Sequence, residues 1–422
     1  MRIEVTIHPT ATTAFEAAAV ELQLPEGEPP FTLDINFTEL LRHSHNISDL
    51  AKDFLLIGAV IYGCDKAIDR ENGSISDDRW TRELVVNIPV QFPDRWEAVA
   101  EDLSECVSFL TGDSWEFEFS LATRDIVQRR RRRQRQRRRL VNQEPVHAVS
   151  LFSGGLDSLI GALDWLSNNA NERVFLVGHY DPDLKGPKHD QLELAQILGR
   201  HFPNRFEVVH GRIGVNPAGD DINLRSRSFL FVALATFFAE QFGPTVPIIV
   251  PENGPIALNL PLTPSRRGSC STRTVHPHFL DLLRQVMTGV GFHHPIENPY
   301  RFKTKGEMAA ECCVPAILEE GYSHSRSCAK GGHKSSWNDR HAKGCGRCVP
   351  CLFRRAALHV TGCDDESYGI DVCGRDVRTE DLNSDFLSLL SFLRRNDTER
   401  ELKRSLLAHG LLRSTNFPHT SE

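Results

Sequence analysis

From Val146 onward the chain follows a pattern that leaves few folds open. "VHAVSLF", "RVFLVGHY", "FEVVHGRI" and "VPIIVPEN" have the length and apolar content of buried strands. Between them lie "SLIGALDWLSNN", "HDQLELAQILGRHF" and "RSRSFLFVALATFFAEQF", each with helical spacing. This alternation predicts an α/β fold, a doubly wound parallel sheet with helices on both faces. Sheets of this kind hold their ligands at the carboxyl ends of the strands, where the strand order reverses.

The first strand-to-helix junction, "LFSGGLDS" at 151–158, is therefore the first place to look for chemistry. Ser153, Gly154 and Gly155 allow bare backbone N–H groups to approach an anion, and the following helix adds the positive end of its dipole. Ser158 adds a hydroxyl, and Asp157 a carboxylate suited to magnesium. The stretch is neither a Walker A loop, since no lysine follows the glycines, nor G-x-G-x-x-G. It predicts a cradle for phosphate or pyrophosphate.

A second pattern lies downstream. "SRSCAKGGHKSSWNDRHAKGCGRCVPCLFRRAAL" supplies Cys328, Cys345, Cys348 and Cys351. Four thiolates suit a closed tetrahedral zinc site, and an iron–sulfur cluster is the alternative. Gly346 and Pro350 favour the tight turns between ligands. The nearby His324, His333 and His341 are not needed to complete the set. The chain has 11 cysteines and opens with nothing like a signal peptide. A cytoplasmic protein with unpaired thiols is expected, and the cysteine spacing is read for metal binding instead.

The net charge of −7 conceals a strong asymmetry. Residues 1–127 carry 24 acidic and 9 basic side chains, whereas 128–140, "QRRRRRQRQRRRL", hold nine arginines and no acid. The first segment reads as an N-terminal α+β domain. "RIEVTIH", "FTLDINF", "ELVVNIPV" and "WEFEFSLA" alternate like strands; "DFLLIGAVIYGCDKAI" and "DRWEAVAEDLSECVSFL" have helical spacing. The run Phe54–Cys64 is too short to cross a bilayer and reads as a buried helix, so no membrane partner is expected. The arginines of the 128–145 linker are read either as a nucleic-acid arm or as a solvated segment held against the acidic domain. Residues 146–375 form the nucleotide-binding domain with the metal site, and 376–422 a helical tail.

The two motifs together resemble one family. "FSGGLDS" is similar to the PP-loop of the N-type ATP pyrophosphatases. With "SC…CGRCVPCLFRRAA" it resembles the QueC-like family of 7-cyano-7-deazaguanine synthases, which bind one zinc. "RSRSFLFVALATFFAE" and "FKTKGEMAAEC" are similar to further segments of that family, and the likeness covers roughly 146–365. The gap from Cys328 to Cys345 is longer than the family's, and "PENGPIALNLPLTPSRRGSCSTRTVHPHFL" departs from its substrate loop. The added N-terminal region and arginine linker resemble the architecture of QatC, the QueC-like component of Qat anti-phage defence systems.

The resemblance implies an ATP-dependent, AMP-forming carbon–nitrogen ligase with ATP, Mg2+ and Zn2+ as cofactors. It would adenylate a 7-deazaguanine carboxylate for transfer to an amine, either ammonia or one carried by a protein docked on the N-terminal domain in a defence system. Synthesis of the 7-cyano base, or tRNA sulfur transfer, is the alternative. On the implied roles, Ser153, Gly154, Gly155, Leu156 and Ser158 hold phosphates, with Asp157 near magnesium. Leu151, Phe152 and Val177 to His179 border adenine and ribose. Arg225, Arg227 and Lys305 stabilise charge at the α-phosphate, and Glu252 accepts from a guanine-like edge. Cys270 is the candidate thiol nucleophile, whereas Cys312 and Cys313, inside a helical pattern, are expected to be buried.

Overall fold

The computed structural model describes residues 1–10, 15–25, 28–44, 47–70, 81–129, 145–183, 185–219, 225–258, 273–331, 334–374 and 384–408. The linker arginines at 130–139 and Cys270 lie outside them. The N-terminal part runs β1 (Arg2–Thr10), β2 (Phe15–Gln23), β3 (Phe31–Ile35), α1 (Phe37–Arg42), α2 (Asp49–Ala67), β4 (Glu83–Val90), α3 (Pro93–Glu97), α4 (Ala100–Thr111), β5 (Ser114–Leu121) and β6 (Val127–Arg129). The alternating core then runs β7 (Val146–Leu151), α5 (Leu156–Asn168), β8 (Arg173–Tyr180), α6 (Lys185–His201), β9 (Phe206–Asn216), α7 (Arg227–Ala239) and β10 (Ile248–Ile249). It is followed by α8 (Gly254–Leu258), α9 (Pro277–Val290), β11 (Ile296–Glu297), α10 (Lys305–Ala310), α11 (Pro315–Gly321) and α12 (Val349–Val360). Two helices close the described chain, α13 (Ser384–Arg395) and α14 (Glu399–Ala408).

The expected α/β architecture is present, with a mostly parallel sheet. Ten strands form one path, β11-β10-β7-β8-β9-β3-β2-β1-β4-β5, and β6 pairs with β2 beside it. The block β11-β10-β7-β8-β9 is parallel throughout. Its strand order reverses between β7 and β10, so the ends of those two strands flank a crevice.

The segments 1–127 and 146–375 share one sheet. β3 pairs antiparallel with β9, Thr32 opposite Asn216 and Ile35 opposite Ile213. Arg212 Nη2 bonds Asp34 Oδ1 at 2.7 Å across the seam. Above it, α2 is buried along nearly its whole length, and one apolar core takes in its Phe54, Leu55 and Ile61 together with Phe229, Leu230 and Ala233 of α7. A Cβ on Gly58 would lie 2.8 Å from that of Ala233, so glycine sets how closely the two helices approach. Each leucine, isoleucine and phenylalanine of this core contributes about 1.5–3 kcal/mol by burial. The stretch "DRWEAVAEDLSECVSFL" is two helices rather than one. Val99 leaves helical geometry (φ −121°, ψ 13°), and its Cγ1 is the atom a Cβ on Gly289 of α9 would meet, at 2.5 Å. Among the described residues, no helix is long and apolar enough to cross a membrane.

A buried four-charge cluster ties these elements together. Arg82 Nη2 bonds both Asp65 Oδ1 and Asp113 Oδ2 at 2.6 Å, and Arg70 also pairs with both carboxylates. Burial alone would raise the Asp113 carboxyl, but Arg82 and Arg70 hold it below its ordinary value. Asp65 Oδ2 further accepts from the backbone N–H and hydroxyl of Ser226, just ahead of α7. Removing one partner leaves uncompensated buried charge. Asp113→Ala is expected to destabilise the fold by about 3–5 kcal/mol, read as a lowered urea midpoint.

Candidate functional site

The glycine loop sits at the reversal point. β7 ends at Leu151, Phe152 N–H donates to Val177 O at 2.8 Å, and the chain turns through Ser153 to Gly155 into α5. Gly154 has φ +86°, a conformation that glycine adopts at no steric cost. Gly155 caps α5 without a side-chain bond, so no side chain covers the first-turn N–H groups of Leu156, Asp157 and Ser158. Ser153 Oγ is 3.3 Å from both Ser158 Oγ and Gly155 N, and Ser158 Oγ donates to Gly155 O at 2.9 Å. The turn is prearranged around hydroxyls and N–H groups, as an anion cradle requires.

Opposite the loop, the end of β10 supplies "PEN". Asn253 Nδ2 donates to Asp157 Oδ2 at 2.7 Å, and Lys305, the first residue of α10, pairs with Asp157 Oδ1. A capping box between Thr304 and Glu307 fixes the start of α10. The half-buried Glu252 places its carboxyl beside that of Asp157. Burial first, and the Asp157 charge second, push Glu252 well above its ordinary value of 4.5, although Lys305 pulls the other way. Sequence reasoning placed Asp157, Lys305 and Glu252 on three different segments, and the fold brings them together.

A second group lies at the end of β8. His179 is fully buried; its Nε2 faces Ile213 O at 2.9 Å and its Nδ1 faces Arg227 Nε at 3.2 Å. The bonding assigns a neutral ring that donates from Nε2. Burial, then Arg227, lowers its pKa to about 3. Tyr62 and Lys66 of α2 reach the same strand end, bonding Asp181 at 2.8 and 2.7 Å. Arg227 Nη2 also donates to the His179 carbonyl at 3.0 Å, so a residue expected at the α-phosphate packs against one expected at adenine and ribose. Arg225 goes elsewhere: its Nη1 donates to Thr111 O, at the end of α4.

Several residues of the loop's surroundings carried no sequence signal. Gln191 of α6 donates to the carbonyls of Ser153 and His179 at 3.3 and 3.2 Å and accepts from His210. Arg326 N–H donates to Gly154 O at 2.9 Å, and its Nε lies 3.3 Å from Asp190 Oδ2. Cys312 is buried as expected, but Cys313 is exposed. α10 ends at Ala310, ahead of Pro315, which leaves Cys313 in the connecting turn.

The four predicted metal cysteines converge. Sγ atoms of Cys328, Cys345, Cys348 and Cys351 all lie within 4.8 Å of one another, and Cys345 Sγ is 3.9 Å from Cys351 Sγ. Zinc at about 2.3 Å from each sulfur of a tetrahedron requires roughly 3.8 Å between sulfurs, so the set fits such an ion. Backbone N–H groups of Lys330, Cys345 and Cys348 point at cluster sulfurs at 3.3 Å, favouring thiolates. Gly346 (φ +80°) makes the turn, and a Cβ there would fall 2.3 Å from Ile370 O.

No family model matches the chain, and no curated protein matches it.

Two outcomes follow from this geometry. The purified chain is expected to carry one zinc, and Cys348→Ser with chelation should release it and lower the melting temperature. Metal analysis and a thermal scan check this. Glu252 is protonated more readily in the folded than in the unfolded chain. Its contribution to stability is full below pH 4.5 and is lost as pH rises through its higher folded value. Glu252→Gln is therefore expected to flatten the fall in melting temperature on the alkaline side of pH 4.5.

Proposed function

We propose that the protein is an ATP-dependent, AMP-forming ligase that adenylates a small carboxylic acid, of the 7-deazaguanine-carboxylate type, and passes the acyl group to an amine. The observation that carries this reading is the Ser153–Ser158 turn, with uncapped helix N–H groups and the Asp157–Lys305 pair at the strand-order reversal. "FSGGLDS" and the four-cysteine pattern, on which the family resemblance rests, add the choice of chemistry.

The turn's N–H groups and the Ser153 and Ser158 hydroxyls would hold the β and γ phosphates. Lys305 would face charge building up during transfer. Asp157 already accepts from Asn253, Lys305 and the Glu252 carboxyl, which leaves one of a carboxylate's roughly four lone-pair sites by which it could hold a magnesium ion. Zinc in the cysteine cluster would serve as a structural brace, since four thiolates leave no open position. In the first step a carboxylate oxygen attacks the α-phosphorus and the bond to pyrophosphate breaks, with pyrophosphate leaving with the electron pair. In the second step an amine attacks the acyl carbon, AMP departs and the amine loses a proton. The acceptor is ammonia or an amine on a partner protein. Catalysis of this kind rests on positioning and charge stabilisation.

The test uses zinc-loaded full-length protein with ATP, magnesium and 7-carboxy-7-deazaguanine, with and without ammonium, following AMP and pyrophosphate. Acid-dependent AMP is expected, and Lys305→Met should reduce its rate by about 10²–10³. Folded, zinc-loaded protein that forms no AMP with this acid would overturn the reading.

A further inference from the structure

The two ends of the sheet differ. At one end lies β11, two residues long, whose Ile296 O accepts from Arg284 Nη2 at 3.0 Å. At the other lies β5, eight residues long and, among the described residues, paired with β4 alone. Sheets commonly guard their edges with short strands, lysines or prolines. β5 is long and carries neither lysine nor proline. We propose that the outer edge of β5 is a docking site for an extended segment of a partner protein in which basic and apolar residues alternate.

Backbone geometry decides which groups are on offer. Ser114 N–H donates to Arg82 O and Ala122 N–H to Val90 O, so the even-numbered residues turn their N–H and C=O groups toward β4. Trp115, Phe117, Phe119 and Leu121 turn theirs outward. Trp115 N–H is satisfied by Ser108 Oγ at 3.0 Å. Among the described residues nothing pairs with the outward groups of Phe117, Phe119 and Leu121. These evenly spaced donors and acceptors are what an added strand requires.

The side chains decide what that strand must carry. On the covered face Trp115 and Phe117 are buried, Phe119 is half-buried and Leu121 is 69% exposed, so an apolar row runs uncovered toward the end of the strand. The opposite face carries Glu116 and Glu118, with Glu83 of β4 opposite Ser114. Arg2 pairs there with Glu4 and Glu118. Four glutamates around one arginine leave this face with an excess of negative charge. Apolar residues of an added strand would cover Phe119 and Leu121, and the basic residues between them would lie beside Glu116 and Glu118. A second copy pairing β5 with β5 along most of its length would instead set Glu118 opposite Glu116 or Glu118, and like charges so placed oppose the pairing. The edge lies at the far end of the sheet from β7 and β10, so a strand can add there without obstructing the crevice.

Fluorescence anisotropy with the full chain tests the assignment. The probes are a labelled peptide of alternating lysine and valine, a peptide of the same composition with its lysines and valines in separate blocks, and an alternating glutamate–valine peptide. The alternating lysine–valine peptide is expected to bind, and the block peptide at least about tenfold more weakly. Leu121→Pro deletes one outward N–H while leaving the bonds to β4, and is expected to weaken binding about tenfold. Glu116→Lys is expected to weaken binding of the lysine peptide about tenfold and to strengthen binding of the glutamate peptide, an exchange that misfolding cannot produce. Both side chains are exposed, and melting temperatures verify that the variants fold. Equal binding of the alternating and block peptides would reduce the effect to general attraction toward an acidic surface and overturn the proposal. Absence of binding, or unchanged affinity in Leu121→Pro, would also overturn it. A dimer of the full chain that sedimentation detects and Leu121→Pro dissociates would assign the edge to a second copy instead.

Discussion

The antiparallel pairing of β3 with β9 is the constraint on which the rest of the molecule depends. It turns two segments of unlike charge into one sheet and gives α2 a floor to lie on. Because α2 is covered along nearly its whole length, it can carry polar groups into the interior only where partners wait for them. Asp65 meets Arg70, Arg82 and Ser226; Tyr62 and Lys66 meet Asp181. The N-terminal segment is thereby bonded to the end of β8 and to the start of α7, two places that border the crevice. Whatever else it binds, it helps to position the candidate site.

Electrostatics at the crevice follow from the strand order. The reversal between β7 and β10 sets Asp157 against Glu252, two carboxylates that repel when both are charged. Lys305 and Asn253 relieve Asp157, and Glu252 responds by holding its proton. The result is a polar patch beside uncapped helix N–H groups, balanced by one lysine. The same logic appears in the four-charge cluster under β4 and β5, where two arginines balance two aspartates. There every charge is matched and buried, which suits a brace; at the crevice Asp157 and Lys305 are matched as well, and the carboxyl beside them, Glu252, is half-buried and holds its proton.

Much of this could be read from the chain before folding. The strands and helices from Val146 to Ala239 follow the apolar spacing closely, and α2 was recognisable as buried from the run Phe54–Cys64. The glycine loop and the four cysteines announced themselves because their spacing is local: consecutive residues make the turn, and C-x-x-C steps bring three of the four sulfurs together. Lys305 and Glu252 were named singly, yet their meeting with Asp157 depends on where β10 and α10 lie. Gln191, Asn253 and Arg326 gave no signal, since each acts by approaching a residue distant in sequence. The break at Val99 was likewise invisible, since the apolar spacing runs on through it.

The sequence by itself determined the alternation of strand and helix, the glycine-rich turn and the cysteines that converge into one cluster, for these are matters of local conformation and short spacing. Tertiary structure alone decided that the two halves share a sheet, that Arg225 faces Thr111 while Arg227 faces His179, and that Asp157 meets both Lys305 and Glu252. Those outcomes depend on which strand edges pair and which helices pack, and contacts between residues far apart in sequence leave no periodic trace in the chain that makes them.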